Sequence, residues 1–178
     1  MTRLFVALRP PAGVRDALID TMDGIDGARW QDEDQLHLTL RFVGEVDPPL
    51  AEDLAAALRG IDAAAFELGL TGVGHFQTRG RPTALWARPV VSAALTDLQH
   101  KIERVCQRVG LEPEHRKFTP HITLARLNRT AGPMGSWLAV HGALRSETWM
   151  VDEFRLYEST LTAGGSEYAP VVSYCLRQ

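Results

Sequence analysis

Apolar positions along this chain switch between a spacing of two and a spacing of three to four, which predicts strands alternating with helices. Leu4 to Leu8 is a compact apolar run stopped by Pro10 and Pro11, and predicts a strand. Val14, Leu18 and Met22 recur every fourth residue, so a helix is expected from about Pro11 to Met22. Asp23 to Asp34 is a polar loop carrying Trp30, and Leu36 to Val43 alternates as a strand closed by Gly44. Asp47 suits an N-cap and Pro48 a first helical turn. Leu50, Leu54 and Leu58 then form a stripe ended by Gly60. Phe66 to Leu70 predicts a strand, Gly72 to Phe76 a bend, and Thr78 to Pro82 a basic turn.

The second half opens on a strand over Thr83 to Arg88. A long helical stripe follows through Val91, Leu95, Leu98, Ile102, Val105 and Val109, with Gly110 just beyond it. Pro120 sets the entry to a strand over His121 to Leu127. Asn128 to Gly135 reads as loop, and Trp137 to Leu144 carries no clear period. Thr148 to Ser159 and Tyr168 to Leu176 predict a closing hairpin about a glycine turn. Strand, helix and strand thus occur twice, with corresponding positions 33 residues apart (Leu4 to His37) and 37 apart (Ala84 to His121). The expected fold is α+β, a single domain over residues 1–178 made of two intertwined lobes. A pseudo-twofold relates the lobes, antiparallel sheets carry flanking helices, and the cleft is central.

What makes the repeat chemical is one tetrapeptide written twice, His37-Leu38-Thr39-Leu40 and His121-Ile122-Thr123-Leu124. On a strand the His and Thr of each copy share one face while the aliphatics anchor the other. One His-x-Thr arises by chance about 0.4 times in such a chain; two copies flanked by branched aliphatics arise well below about a thousandth. Two imidazoles near their reference pKa of about 6.5 can act as base and acid on one phosphorus, and two threonine hydroxyls can donate to its oxygens. No His-Glu-x-x-His or comparable metal spacing occurs, and neither metal nor cofactor is expected.

Composition narrows the partners. Nineteen Lys and Arg against 22 Asp and Glu leave a net charge of −3, which disfavours a coat for long nucleic acid and leaves open one RNA end or small nucleotide. No apolar run approaches the length of a bilayer span, the first eight residues are too short for a secretory core, and no membrane association is expected. Cys106 and Cys175 read as reduced core residues of a cytoplasmic protein, taken as a monomer.

The segments Arg3–Leu8, Gln35–Glu45, Phe118–Arg126 and Phe154–Ser159, taken with the double motif, resemble the two-histidine (2H) phosphoesterases. Within that superfamily they are similar to the bacterial and archaeal RNA 2′,3′-cyclic phosphodiesterases, also known as 2′-5′ RNA ligases. The resemblance implies hydrolysis of a terminal 2′,3′-cyclic phosphate to a 2′-phosphate, with a weak reverse ligation. It makes His37 the proton donor and His121 the proton acceptor, and places Thr39 and Thr123 on the phosphate. Arg126 lies three residues past Thr123, so strict alternation turns it away from the site unless a bulge re-aims it; the resemblance favours a phosphate contact. Phe42 reads as core. Trp30, Phe76 and Phe118 read as core or as platforms for a terminal base. Arg79, Arg81, Arg116 and Lys117 form a basic rim or scattered surface charge, and the turn Thr162–Glu167 has no basic residue. Activity on 2′-5′ oligonucleotides or ADP-ribose cyclic phosphate, and a binding module without turnover, remain alternatives.

Overall fold

A computed structural model describes residues Met1 to Gln178. Ten strands and four helices follow in the order β1 (Thr2–Leu8), α1 (Ala12–Ile19), β2 (Arg29–Trp30), β3 (Leu38–Val46), α2 (Pro48–Leu58), β4 (Phe66–Leu68), β5 (Leu70–Thr78), β6 (Arg81–Pro89), α3 (Ala93–Arg108), β7 (Ile122–Arg126), α4 (Gly135–His141), β8 (Trp149–Val151), β9 (Glu153–Thr162) and β10 (Gly165–Cys175). The large sheet runs β10-β9-β1-β3-β7-β6-β5, with β2 added beside β7, and a second small sheet pairs β4 with β8. Every pairing between these strands is antiparallel.

This order contains the repeat. The series β1-α1-β3-α2-β4-β5 matches β6-α3-β7-α4-β8-β9, and each half hands its last strand to the other: β5 pairs with β6, and β9 with β1. β3 and β7, which begin one residue after the two motif histidines, meet at the centre through Leu38 opposite Ile122.

Local chemistry explains the helices. The Asp47 carboxylate accepts from the Leu50 amide at 2.9 Å, and Ser92 Oγ accepts from the Leu95 amide at 3.2 Å, so both α2 and α3 start on a side-chain cap. Val91 precedes that cap and is exposed, so α3 starts later than its apolar stripe. The helices cover one face of the sheet. Leu4, Val6, Leu8, Leu38, Leu40, Ile122 and Leu124 point into that core, each at most 3 % exposed. Burying each such side chain contributes about 1.5–3 kcal/mol.

The structure departs from the sequence reading at several places. Gly72 to Phe76 belongs to β5 rather than a bend: Gly74 lets the Trp86 indole lie across the strand, where a Cβ would sit 2.6 Å from the ring. Cys175 is exposed, not core, because β10 is the sheet edge and Tyr174 takes the inward position; Cys106 is buried on α3. Helix α4 (Gly135–His141) takes the end of the expected loop Asn128 to Gly135 and the first part of Trp137 to Leu144, which had no readable period.

Candidate active site

The face of the sheet away from the helices carries the second chemistry of the chain. β3 and β7 meet antiparallel at Leu38 and Ile122. One residue further on either side, that register puts His37 opposite Thr123 and Thr39 opposite His121. The motif strands are therefore neighbours in one sheet, not opposing walls. Diagonal positions across such a junction lie about 7–8 Å apart, and more where the strands diverge, a spacing into which a phosphate can fit.

The repeat extends to what surrounds each ring. His121 Nδ1 lies 2.7 Å from the Thr119 carbonyl, two residues back. A carbonyl can only accept, so Nδ1 carries the proton and Nε2 keeps its lone pair. The corresponding carbonyl of His37 is Gln35. It acts to favour the charged ring, yet His37 Nδ1 finds no partner in good hydrogen-bond geometry. Each ring also meets an aromatic edge-on: Tyr157 at 4.5 Å from His37 and Phe76 at 4.8 Å from His121, on the equivalent strands β9 and β5.

The electrostatics of the two differ. His37 is 6 % exposed beneath Phe5, Tyr157 and Tyr168. Burial pushes its pKa down to about 4; Arg9 and Arg155 push the same way, against the Gln35 carbonyl and Asp34. His121 is also below its ordinary value, through burial opposed by the Thr119 carbonyl, with Arg126 adding to the lowering. Both shifts favour the neutral ring at pH 7.

Matching irregularities explain two side chains that alternation misplaces. Ala7 pairs with Thr39 but Val6 pairs with Arg41, so Leu40 is an extra residue in β3. Trp86 pairs with Thr123 but Leu85 pairs with Ala125, so Leu124 is its counterpart in β7. Each bulge turns two successive residues toward the helices and returns the third to the histidine face. Phe42 is therefore not core: it is 54 % exposed and faces the cleft beside Phe5. Arg126 comes back to the Thr123 face, opposite Arg29 of β2. Arg41 turns under the sheet to α3. There its Nε forms an ion pair with Glu103 Oε2 at 2.5 Å, and its Nη2 donates to the Glu112 carbonyl.

Beyond the one shared rung, β3 and β7 part. A cleft of about 460 Å³ opens there, reached by Thr39 and His121 but not by His37 or Thr123. Phe42, Phe76 and Phe118 line it, with Arg116 and Lys117 at its rim. Trp30 instead packs on Trp137 below the sheet, and Arg79 and Arg81 lie at the far β5–β6 turn. The acidic turn after β9 is met by Arg29, whose guanidinium donates to the Gly164 carbonyl at 2.7 Å. Sequence reasoning missed Arg155 and Tyr157, which reach His37 only because β9 pairs with β1.

A family model described as the 2′-5′ RNA ligase superfamily matches residues 11–162. The chain belongs to this superfamily. Superfamily members with curated names include the RNA 2′,3′-cyclic phosphodiesterase of Aeropyrum pernix, 32 % identical over 88 % of this chain and 89 % of that one. The enzyme of the same name from Escherichia coli is 31 % identical over 99 % of this chain and 97 % of that one. Among solved structures, apo LigT of E. coli superposes with a TM-score of 0.78 at 28 % identity, covering 99 % and 98 % of the two chains. TT0787 of Thermus thermophilus gives 0.83 at 26 % identity, covering 98 % of each. The α+β, pseudo-twofold architecture with a central cleft is that of this superfamily.

Proposed function

We propose that this protein is an RNA 2′,3′-cyclic phosphodiesterase that opens terminal 2′,3′-cyclic phosphates to 2′-phosphates with two histidines and no metal. One observation carries the reading: two His-x-Thr faces side by side on β3 and β7, with one ring held as an Nε2 base. In this mechanism His121 Nε2 takes a proton from water as the water oxygen bonds to phosphorus. The P–O3′ bond breaks on the opposite side, and His37 gives its proton to the departing 3′ oxygen. Burial keeps His37 uncharged at pH 7, and a phosphodiester anion beside the ring favours its protonation, so substrate and proton bind together. The hydroxyls of Thr39 and Thr123 and the Arg126 guanidinium take the non-bridging oxygens, where charge builds in the transition state. Residues 1–178 act as one unit, since both lobes supply half of this set.

RNA ends and small cyclic nucleotides are the substrate class that fits a site of this size on a chain of net charge −3. No helix is long and apolar enough to cross a membrane. The unpaired cysteines suit a reducing compartment such as the cytoplasm, and a monomer suffices for the site. The test is incubation of an oligonucleotide ending in a 2′,3′-cyclic phosphate with the protein in EDTA. Turnover yielding a 2′-phosphate end is expected. A 3′-phosphate product reverses the leaving group, and saturable binding without turnover rejects the enzyme.

A further inference from the structure

Where β3 and β7 separate, the sheet has a gap, and helix α3 shows through it as a floor. Gln99 is the residue of α3 at that point. It interrupts a stripe of Leu95, Leu98, Ile102 and Val105, is 6 % exposed, and makes no hydrogen bond within the protein while lining the cleft. Its amide atoms keep contact with solvent in the cleft, so a ligand there can take them as hydrogen-bond partners. Glu103, one turn on, is accounted for by Arg41, Gln107 and the Glu114 amide. Gln99 is not. Phe42 lines the same cleft as Gln99 and Thr39 and is 54 % exposed.

We propose that this gap is a nucleobase subsite, with the Gln99 amide reading the base edge and Phe42 stacking on its face. The proposal rests on the phosphodiesterase reading and extends it to the base attached to the reacting ribose. The cleft volume falls in the range of sites that bury small organic ligands, and it ends at Thr39 and His121, where the phosphate would lie. A carboxamide presents one donor and one acceptor side by side, the complement of the adenine edge, and a good bidentate pair of this kind discriminates by about 5- to 150-fold. Every free nucleobase offers such a donor–acceptor edge, so the amide favours a base over none, and a ring with no base loses both contacts.

The experiment compares adenosine 2′,3′-cyclic phosphate with methyl β-ribofuranoside 2,3-cyclic phosphate, which has a methoxy group in place of the base. The wild-type protein is expected to favour the adenosine substrate in kcat/KM by about ten-fold or more. Gln99→Leu and Gln99→Met should each bring that ratio toward one, and Phe42→Ala should lower it as well. A wild-type ratio of one, or a ratio unchanged in both Gln99 variants, overturns the subsite. If neither substrate turns over, the hydrolase reading fails instead. Calorimetric binding of adenosine 2′-monophosphate against methyl riboside 2-phosphate, with the same variants, then decides the subsite by the same ratio.

Discussion

His37 titrates inside the protein, and its depressed pKa makes stability depend on pH in a window that can be computed. Unfolded, the imidazole titrates near 6.5; folded, it titrates near 4. Between those values the unfolded chain binds more protons than the native one, so stability falls as pH falls. The contribution is complete above about pH 6.5 and is lost as pH drops toward 4. Integrating the linkage from pH 7.5 to pH 5 gives a loss of about 2 kcal/mol from this one ring. For a chain of this length that corresponds to about 4–8 °C in Tm. Other groups titrate over the same range, so the measurement is a difference. Urea unfolding at pH 7.5 and pH 5 is compared for the wild type and for His37→Asn, which keeps a polar group that cannot charge. The wild type should lose about 2 kcal/mol more than the variant. Equal losses would show that His37 is not buried neutral, and the account of its protonation by substrate would fall with it.

Three further outcomes are expected. His37→Ala and His121→Ala should each lower turnover by about 10²–10⁴, measured on the cyclic-phosphate oligonucleotide at a temperature where both variants are folded; full activity in either removes its acid–base role. Arg41→Met should cost about 3 kcal/mol in denaturant unfolding, because it strands a largely buried Glu103 carboxylate, and the double variant Arg41→Met with Glu103→Leu should recover most of it. No recovery would mean that the carbonyl contacts of Arg41, to Phe42 and Glu112, matter more than the ion pair. Gly74→Ala should displace the Trp86 indole that lies near His121, lowering kcat more than substrate affinity; unchanged kinetics would show that β5 yields instead.

Much of the site could be read from sequence because alternation is local. His37, Thr39, His121 and Thr123 share a face over three residues, and Leu38 and Ile122 bury the other, as the spacing alone requires. The reading failed one residue later. A bulge adds a residue without any change in composition, so nothing marks Leu40 and Leu124 as the positions where the phase slips. Phe42, Arg41 and Arg126 therefore could not be assigned a side. Gly72 and Gly74 looked like a bend because glycine is as much at home in a turn as beneath an indole. Arg155 and Tyr157 lie more than a hundred residues from His37, and only the exchange of β9 between halves brings them near it. The repeat itself was visible in the intervals; the exchange was not, since it depends on which edge a strand joins.

That exchange has a bearing on how the molecule could be taken apart. The β5–β6 turn, Arg79 and Gly80 at positive φ, is the only covalent link between the two repeats, yet the ladder on either side of it joins them. Severing the backbone at that loop tip should leave two polypeptides that are insoluble or unstructured alone, each lacking the strand its fellow carries. Mixed, they should clasp and regain activity, making this scaffold a natural host for split-reporter complementation.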